Sequence, residues 1–441
     1  MSQTPSAHSE HSSTQPQVAA VVVLAAGGGT RMKSAHSKLM HRVAGHTMLS
    51  YAVSAAEALE PQHLVVVVGH NREQVLEHLS DIAPEVRTAV QEEQNGTGHA
   101  VGCGLVGLEN IQGEVVVTYG DVPMLTGETL RGLVEAHREA EAKVTVMTAV
   151  VPDPTGYGRV IRDGDRVARI VEQKDATPDE AAVTEINSGI YVFDAEVLRH
   201  GLANLNTDNA QGELYLTDVI TIANGEGHKV GAHIIDDLWQ TEGVNDRVQL
   251  ARMNAEVNRR IVEKWMRAGV TVQDPASTWI QAEVDLGRDV VIAPNTQLEG
   301  ATSIGEGAEI GPDVTLRDVE VGAGAQVVRS HAELAVIEAG AVVGPYVHLR
   351  PGTQLAAGVH AGGFVTMRNA QVGADVVVPP LSYVGASVES GAQLQPGAIL
   401  LGEGTIHVNA QTPQGAAPNA SATNATENLA PESTTDEKDQ L

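Results

Sequence analysis

The feature that most constrains the fold is a six-residue period of branched apolar residues that begins after Gly269. A period of six predicts three short strands per turn of a triangular parallel β-helix, in which every sixth side chain points into the prism. The register breaks at His331 to Val336 and at Ala361 to Gly363, where we expect loops to leave the prism. The periodic positions are Leu286, Ile292, Leu298, Ile304, Ile310 and Leu316, then Val343, Leu349 and Leu355, then Val372 and Val378, and finally Val388, Leu394 and Leu400.

The chain before this region alternates short apolar runs with helical segments, which is typical of a mostly parallel α/β sheet. Apolar residues at three- and four-residue steps then predict a helix from Asp246 to Ala268. The strand candidates are VAAVVVLAA, HLVVVVG, EVVVTYG, KVTVMTAVV and INSGIYVF. We therefore predict a disordered leader over 1–17, an α/β domain over 18–246, a connecting helix over 247–268, a β-helix domain over 269–409 and a disordered tail over 410–441.

Composition restricts the partners of the chain. Its formal net charge is −28, so nucleic acid and anionic membrane surfaces would repel it, whereas a small charged substrate needs only local cations. Its only cysteine, Cys103, excludes an internal disulfide framework and favours a reducing cytoplasm. The sequence has no 18-residue apolar run, and its first 17 residues lack the regions of a signal peptide.

A glycine-rich turn follows the first apolar run. Gly27, Gly28 and Gly29 are followed by Thr30, Arg31 and, further on, Lys38. Consecutive glycines let backbone N–H groups approach phosphate oxygens, and the two basic residues supply cations, so the stretch is typical of a polyphosphate site. Three glycines alone would fit an ordinary strand-to-helix turn equally well. The stretch has neither the Gly-Lys-Ser/Thr of the mononucleotide loop nor the spacing of the dinucleotide fingerprint.

Two later stretches carry further polar candidates. In QEEQNGTGHA, the amides of Gln91 and Gln94 could read a base, although a polar surface turn is as typical of such a stretch. Tyr119, Gly120 and Asp121 follow the run EVVVT, and ligands of open α/β sheets gather at the carboxyl ends of strands. Asp121 could alternatively cap a helix.

Eight blocks of the sequence, taken in order, resemble bacterial bifunctional N-acetylglucosamine-1-phosphate uridyltransferases and glucosamine-1-phosphate acetyltransferases. The resemblance covers residues 18–383. It implies Mg²⁺-dependent uridylyl transfer from UTP to N-acetylglucosamine 1-phosphate for cell-wall precursor synthesis, a β-helix second domain and a homotrimer. The blocks are LAAGGGTRM, QEEQNGTGHA, YGDVPML, GYGRVIRD, VEQKDAT, EINSGIY, NAQGELYLTD and WQTEGVNDRVQL.

The resemblance also implies residue roles. Catalysis would fall to Arg31 and Lys38, with Ser37 where the family has proline before the lysine. The other expected contacts are Leu24, Ala25, Ala26, Gly27, Gly28, Gly29, Thr30 and Arg31 to the nucleotide phosphates; Gln91, Gly96 and Thr97 to uracil; Tyr119 and Gly120 to the nucleotide site; Gly158, Glu172 and Asn187 to the sugar; and Asp121 and Asn245 to Mg²⁺.

The second domain departs from the family pattern. Pro380 stands where the resemblance expects the histidine that acts as general base in acetyl transfer, while Arg350, Arg368 and Tyr383 match its sugar-phosphate pocket. The blocks that would complete the acetyl-CoA site are poorly matched after Tyr383, which predicts a truncated domain that has lost acetyl transfer. His360 and His407 are alternative bases, but exposed histidines on a β-helix surface are usually only solvated.

Three alternatives to this function stay open on the sequence. The chain could be fully bifunctional, with another base recruited for acetyl-CoA chemistry. It could use a different sugar phosphate or base. It could also be a non-enzymatic sugar-nucleotide-binding scaffold, although Arg31, Lys38 and Asp121 disfavour that interpretation because a scaffold needs no phosphate and metal site.

Overall fold

The structure, a computed structural model, describes residues 17–69 and 72–406, with side chains up to residue 402. The predictions made for most of the leader, for His407 and for the tail after residue 409 lie outside the described residues. The chain divides into two compact units, one up to Ile261 and the other from Val262.

The first unit is built on one nine-stranded sheet with helices between its strands. Its strands are β1 (Ala20–Ala25), β4 (His63–Val68), β5 (Arg87–Val90), β6 (Glu114–Tyr119), β7 (Val144–Val150), β8 (Gly158–Asp163), β9 (Arg166–Val171), β10 (Glu185–Asp194) and β11 (Val230–Ile234), while β2 (Arg42–Val43) and β3 (His46–Thr47) form a separate hairpin. The helices are α1 (Met48–Glu57), α2 (Arg72–Ile82), α3 (Thr97–Gly104), α4 (Gly127–Glu139), α5 (Pro178–Ala181), α6 (Ala195–Ala203) and α7 (Asp218–Gly225). A further helix, α8 (Arg247–Arg267), begins in this unit and ends in the second.

Six of the seven strands on the main path of this sheet run in one direction, which confirms the predicted mostly parallel sheet. The order is β11-β7-β10-β6-β1-β4-β5, and only β10 is antiparallel to its neighbours. All five predicted strands are present. The sequence pattern missed β5, whose residues are largely exposed, and the β8–β9 hairpin, whose charged residues interrupt its apolar alternation. It also missed the partly buried β11 and the two-residue strands of the β2–β3 hairpin.

Helices cover both faces of β1, because alternate β1 side chains enter different cores. Val22 and Leu24 pack with α3, α6 and α7, whereas Val21 and Val23 pack with α1, α2 and α4. Burial on both faces explains the continuous apolar run of this strand. Since β1, β5 and β6 are parallel to one another, the residues that follow them emerge at the same edge of the sheet.

The second unit is a left-handed parallel β-helix, as the six-residue period predicts. Its sixth-position side chains stack in buried columns, so that Ile292 lies beside Ile310, which lies beside Val327. Its strands are β12 (Thr271–Val272), β13 (Trp279–Ile280), β14 (Asp285–Leu286), β15 (Val291–Ile292), β16 (Thr296–Glu299), β17 (Ser303–Ile304), β18 (Glu309–Ile310), β19 (Val314–Val321), β20 (Gln326–Val327), β21 (His331–Ile337), β22 (Val342–Val343), β23 (His348–Leu349), β24 (Gln354–Leu355), β25 (His360–Ala361), β26 (Thr366–Met367), β27 (Gln371–Val372), β28 (Val377–Val378), β29 (Tyr383–Val388) and β30 (Ile399–Ile406).

The prediction that loops leave the prism at the register breaks was wrong. Residues His331 to Val336 lie inside β21, and Ala361 ends β25 in the normal ladder. The breaks instead mark shortened coils: Ile292 pairs with Ile310, 18 residues on, whereas Val327 pairs with Val343, 16 residues on. Removing a residue or two at a corner preserves the inward column, because only the strand positions must stay in register.

Candidate active site

The glycine-rich turn lies at the carboxyl end of β1. Protein packing does not require glycine at Gly27, where a Cβ would meet no atom within 4 Å, so the space above it is open to a ligand. Gly29 is different: its φ is +56°, and a Cβ there would lie 2.8 Å from Cβ of Lys38. Gly29 therefore allows Lys38 to pack against the turn.

A first cavity of about 320 Å³ opens beside this turn. It gathers residues from the carboxyl ends of β1, β5 and β6, as the rule for open α/β sheets predicts. Three of its lining residues were not assigned a role from the sequence: Leu39, Ala100 and Glu213. Gln94, whose amide the sequence offered as a reader of the base, also lines this cavity. The predicted residues that line it are Leu24, Ala25, Ala26, Gly27, Lys38, Gln91, Gly96, Thr97, Tyr119 and Asp121.

A polar cluster at the first cavity joins residues that are far apart in sequence. The Lys38 ammonium forms an ion pair with Oδ2 of Asp121 and lies 3.4 Å from Oδ1 of Asn245. Arg31 donates to the same Asn245 oxygen at 2.9 Å. The side chains of Lys38 and Asp121 are only 12% and 18% exposed, so their charges interact with little screening by water.

The donor set of this cluster fits a magnesium ion. The carboxylate of Asp121 and the amide oxygen of Asn245 both point to the Lys38 ammonium, so two hard oxygen ligands converge on one cationic group. Within residues 17–69 and 72–406, no group of three or more His, Cys, Asp or Glu side chains could hold a metal. Such a small protein donor set is typical of Mg²⁺, which keeps waters and takes substrate phosphates as its other ligands.

A second cavity of about 250 Å³ continues from the first. The two share Thr97, Tyr119 and Glu213 as common walls. The predicted residues Gly158, Glu172 and Asn187 line the second cavity, together with residues that received no role from the sequence: Gly156, Tyr157, Ser188, Gly189, Tyr191, Gln211, Glu213, Tyr215, Leu216 and Thr217.

Local contacts set the polar groups of the second cavity. Oδ1 of Asn187 accepts from the Gly189 amide and from the Tyr191 hydroxyl, each at 2.9 Å, which leaves its amide nitrogen as the donor for a ligand. Burial raises the pKa of Glu172, and the nearby carboxylates Asp175 and Asp218 raise it further. Burial also raises the pKa of the Tyr119 hydroxyl, which keeps this group neutral.

A third cavity of about 450 Å³ also borders the glycine-rich turn. Gly28 and Thr30 line it, as do Gln91 and Gln94. Gln94 donates to the backbone oxygen of Ala26 at 2.8 Å, so it ties the glycine-rich turn to the QEEQNGTGHA stretch.

Two predicted glycines line none of these cavities. Gly29 contacts Lys38, as described above, and a Cβ at Gly120 would lie 3.3 Å from Leu39. These two glycines therefore allow close packing of neighbouring protein residues and do not border a cavity. Arg31 and Asn245 also lie outside the cavity linings, but their hydrogen bonds join them to Lys38 and Asp121.

Comparison with known proteins agrees with this geometry. The profile of the family described as nucleotidyl transferase matches residues 20–255. A bifunctional protein GlmU from Cutibacterium acnes is 60% identical over 391 residues, which cover 87% of this chain and 93% of that protein. The bifunctional GlmU proteins of Corynebacterium efficiens and Rhodococcus opacus are both 54% identical, over 83% and 84% of this chain and 76% of each relative.

The chain belongs to the GlmU family. Its first domain is a nucleotidyltransferase, which confirms the predicted activity. The chain transfers uridylyl from UTP to N-acetylglucosamine 1-phosphate, giving UDP-N-acetylglucosamine and pyrophosphate. This product serves peptidoglycan synthesis. In the described part of the chain, no helix combines the length and apolarity needed to cross a membrane.

In the β-helix unit, the structure brings together the three residues that the sequence resemblance assigns to a sugar-phosphate pocket. Leu349 pairs with Met367, and Met367 with Val384, so Arg350 and Arg368 occupy equivalent positions on successive coils. Tyr383 pairs with Thr366 on the same face. His360 lies in the other sheet, beside Val342 and Val377, and is therefore separated from this group. His348 pairs with Thr366 and therefore lies on the same face as Tyr383. It is two residues before Arg350 in the sequence.

Proposed function

We propose that uridylyl transfer takes place in the cleft formed by the first and second cavities. The triphosphate of UTP would lie over Gly27 to Arg31, its base between Gln91, Gly96 and Thr97, and the sugar phosphate against Gly158, Glu172 and Asn187. The observation that carries this proposal is the Lys38, Asp121, Asn245 and Arg31 cluster beside the wall that both cavities share.

The chemistry requires two anions to meet. A phosphate oxygen of the sugar attacks the α-phosphorus of UTP, and the bond to pyrophosphate breaks as the new bond forms. Arg31 and Lys38 reduce the repulsion between the reactants, while the two cavities hold them in contact and in line. A nucleophilic side chain is unnecessary, since the substrate supplies the attacking oxygen.

Asp121 and Asn245 would hold the magnesium ion. When bound, Mg²⁺ neutralises phosphate charge and orients the phosphate oxygens. The Lys38 ammonium lies within reach of both ligand oxygens, so Lys38 also balances the charge of the largely buried Asp121 carboxylate. An unpaired carboxylate at 18% exposure would destabilise the site.

The second cavity supports recognition of the sugar. Asn187 offers an N–H donor, and Glu172 offers carboxyl oxygens next to the backbone of Gly158. A Cβ on Gly158 would lie 3.5 Å from Oε1 of Glu172 and 3.2 Å from Ile170, so glycine leaves room for the sugar ring beside the carboxylate.

The proposal is tested by the rate of pyrophosphate release from UTP and N-acetylglucosamine 1-phosphate. Asp121→Ala should lower kcat by about a thousandfold or more, because it removes the principal metal ligand and the carboxylate partner of Lys38. Asp163→Asn, which neutralises an exposed carboxylate at the end of β8, is the matched control and should keep the wild-type rate. Equal rates for the two variants would overturn the proposal.

We further propose that acetyl transfer is lost. Pro380 has no titratable group, and it forms an exposed corner whose carbonyl accepts from the Gly397 amide. Without a base to remove a proton from the attacking amine, Arg350 and Arg368 would at most bind a sugar phosphate. No thiol release from acetyl-CoA and glucosamine 1-phosphate is expected. Release above background that disappears in His348→Ala would contradict this and identify His348 as a replacement base.

The assembly and location of the chain are also proposals. Tyr346, Phe364 and Leu381 form an apolar ridge on one corner of the β-helix, with exposures of 55%, 62% and 69% and with the two rings stacked at 5.0 Å. Such a ridge on successive coils supports a homotrimer in which a second copy covers it. The substrate UTP and the single cysteine support a cytoplasmic location.

A further inference from the structure

Gln91 lines the first cavity and also borders the third cavity. The residue is only 5% exposed. Its Nε2 donates to the backbone oxygen of Gly96 at 3.1 Å and lies 3.2 Å from Nδ1 of His99. In the described part of the chain, no hydrogen bond reaches Oε1 of Gln91, and this oxygen is not one of the polar atoms sealed away from solvent. It is therefore an acceptor that remains for a ligand.

Two neighbouring groups decide which way the Gln91 amide points. A primary amide can rotate by 180° at little steric cost, so hydrogen-bond partners select its orientation. The Gly96 carbonyl can only accept, which favours the N–H side of Gln91 there. Nδ1 of His99 accepts the second N–H only when the imidazole proton is on Nε2. In that state a rotated amide would place its oxygen against two acceptors.

The position of His99 on α3 permits this tautomer. Its Nε2 lies 3.6 Å from Sγ of Cys103, one helical turn further on, and a proton on Nε2 can be donated to that sulfur. Burial raises the pKa of the Cys103 thiol, so the sulfur stays uncharged. The other tautomer would donate from Nδ1 to the Glu93 carbonyl at 3.0 Å and turn an N–H toward the Gln91 amide. Only the first tautomer satisfies both N–H groups of Gln91, and it does so with the unprotonated Nδ1 lying 3.0 Å from the Glu93 carbonyl oxygen, a contact between two acceptors that opposes it.

We propose that His99 is a positioning residue that holds the oxygen of Gln91 toward the first cavity and thereby selects pyrimidine nucleotides that carry an N–H at ring position 3. Uracil and thymine have that donor, whereas cytosine has a lone pair there, which would face the Gln91 oxygen unfavourably. The inference rests on the proposed placement of the base in the first cavity. His99 itself does not line that cavity.

The test compares UTP with CTP on the full chain, by calorimetric binding and by pyrophosphate release. His99→Phe and His99→Ala remove the acceptor, whereas His99→Asn keeps an acceptor oxygen close to the position of Nδ1. We expect the two acceptor-free variants to weaken UTP binding and to lower the UTP-to-CTP preference, each about tenfold, with kcat at saturating UTP nearly unchanged. His99→Asn should restore the preference.

The outcomes of this test distinguish failure of the inference about His99 from failure of the proposed function. His200→Phe, a change at an exposed histidine of α6, should keep the wild-type preference. If the acceptor-free variants that fold weaken UTP and CTP equally, His99 has only a structural role and the inference is overturned. If wild-type protein binds UTP selectively and loses selectivity in these variants but releases no pyrophosphate, the inference stands and the proposed function fails.

Discussion

Gly29→Ala tests the packing of the glycine-rich turn against Lys38. The new Cβ would lie 2.8 Å from Cβ of Lys38, whereas ordinary contact begins near 3.4 Å, so the two segments must separate by about 0.6 Å. Because Cβ is attached to the backbone, rotation of the lysine side chain cannot relieve this contact. A displacement of that size at a residue that aligns phosphates should lower kcat/KM by about ten- to a hundredfold.

Gly164→Ala provides the matched control for this substitution. Gly164 has a φ of +61°, close to the +56° of Gly29, but a Cβ there would meet no atom within 4 Å. Both variants therefore have the same left-handed backbone strain, about 1–2 kcal/mol, and only Gly29→Ala has the collision. Denaturant unfolding should show a loss of stability in both variants, with the larger loss in Gly29→Ala because of its collision. Pyrophosphate release should fall in Gly29→Ala alone. Equal activity in the two variants would refute the reasoning.

Three further predictions concern charge, metal and assembly. Burial raises the folded-state pKa of Glu172 above 4.5, so its stabilising contribution is present below that pH and is lost as pH rises through the raised pKa. Glu172→Gln should therefore unfold at a higher denaturant concentration than wild type at pH 8 but not at pH 4.5. An equal increase in the unfolding midpoint at both pH values would contradict the raised pKa of Glu172. Asn245→Ala should raise the Mg²⁺ concentration for half-maximal rate about tenfold or more, and an unchanged requirement would remove Asn245 from the metal site. Phe364→Asp should convert the trimer to smaller species in light scattering, and a monomeric wild type would exclude the trimer itself.

The sequence predicted the architecture because its two periods are strong physical signals. Alternate burial on both faces of β1 requires the apolar run of Val21 to Leu24, and the inward column of the β-helix requires a branched residue at every sixth position. The coil shortening near His331 was not predictable in the same way. A missing residue at a corner and the insertion of a loop produce the same break in a sequence period.

The candidate site was predicted only in part, because some of its contacts depend on distant segments. Arg31 meets Asn245, 214 residues away, through tertiary packing that no local pattern encodes. Glu213 was missed although it lines both cavities, since a lone acidic residue within NAQGELYLTD is also typical of a loop. Gln94 was ambiguous for the same reason, and its bond to Ala26 shows the structural side of its role.

The central claim is that two phosphates meet beside the Lys38 and Asp121 ion pair. The most direct measurement is a crystal structure of the chain with UTP and Mn²⁺, in which anomalous scattering locates the metal. The account predicts an anomalous peak bound by Asp121 and Asn245, with the triphosphate over Gly27 to Arg31. A triphosphate or metal bound elsewhere on the first domain would contradict it.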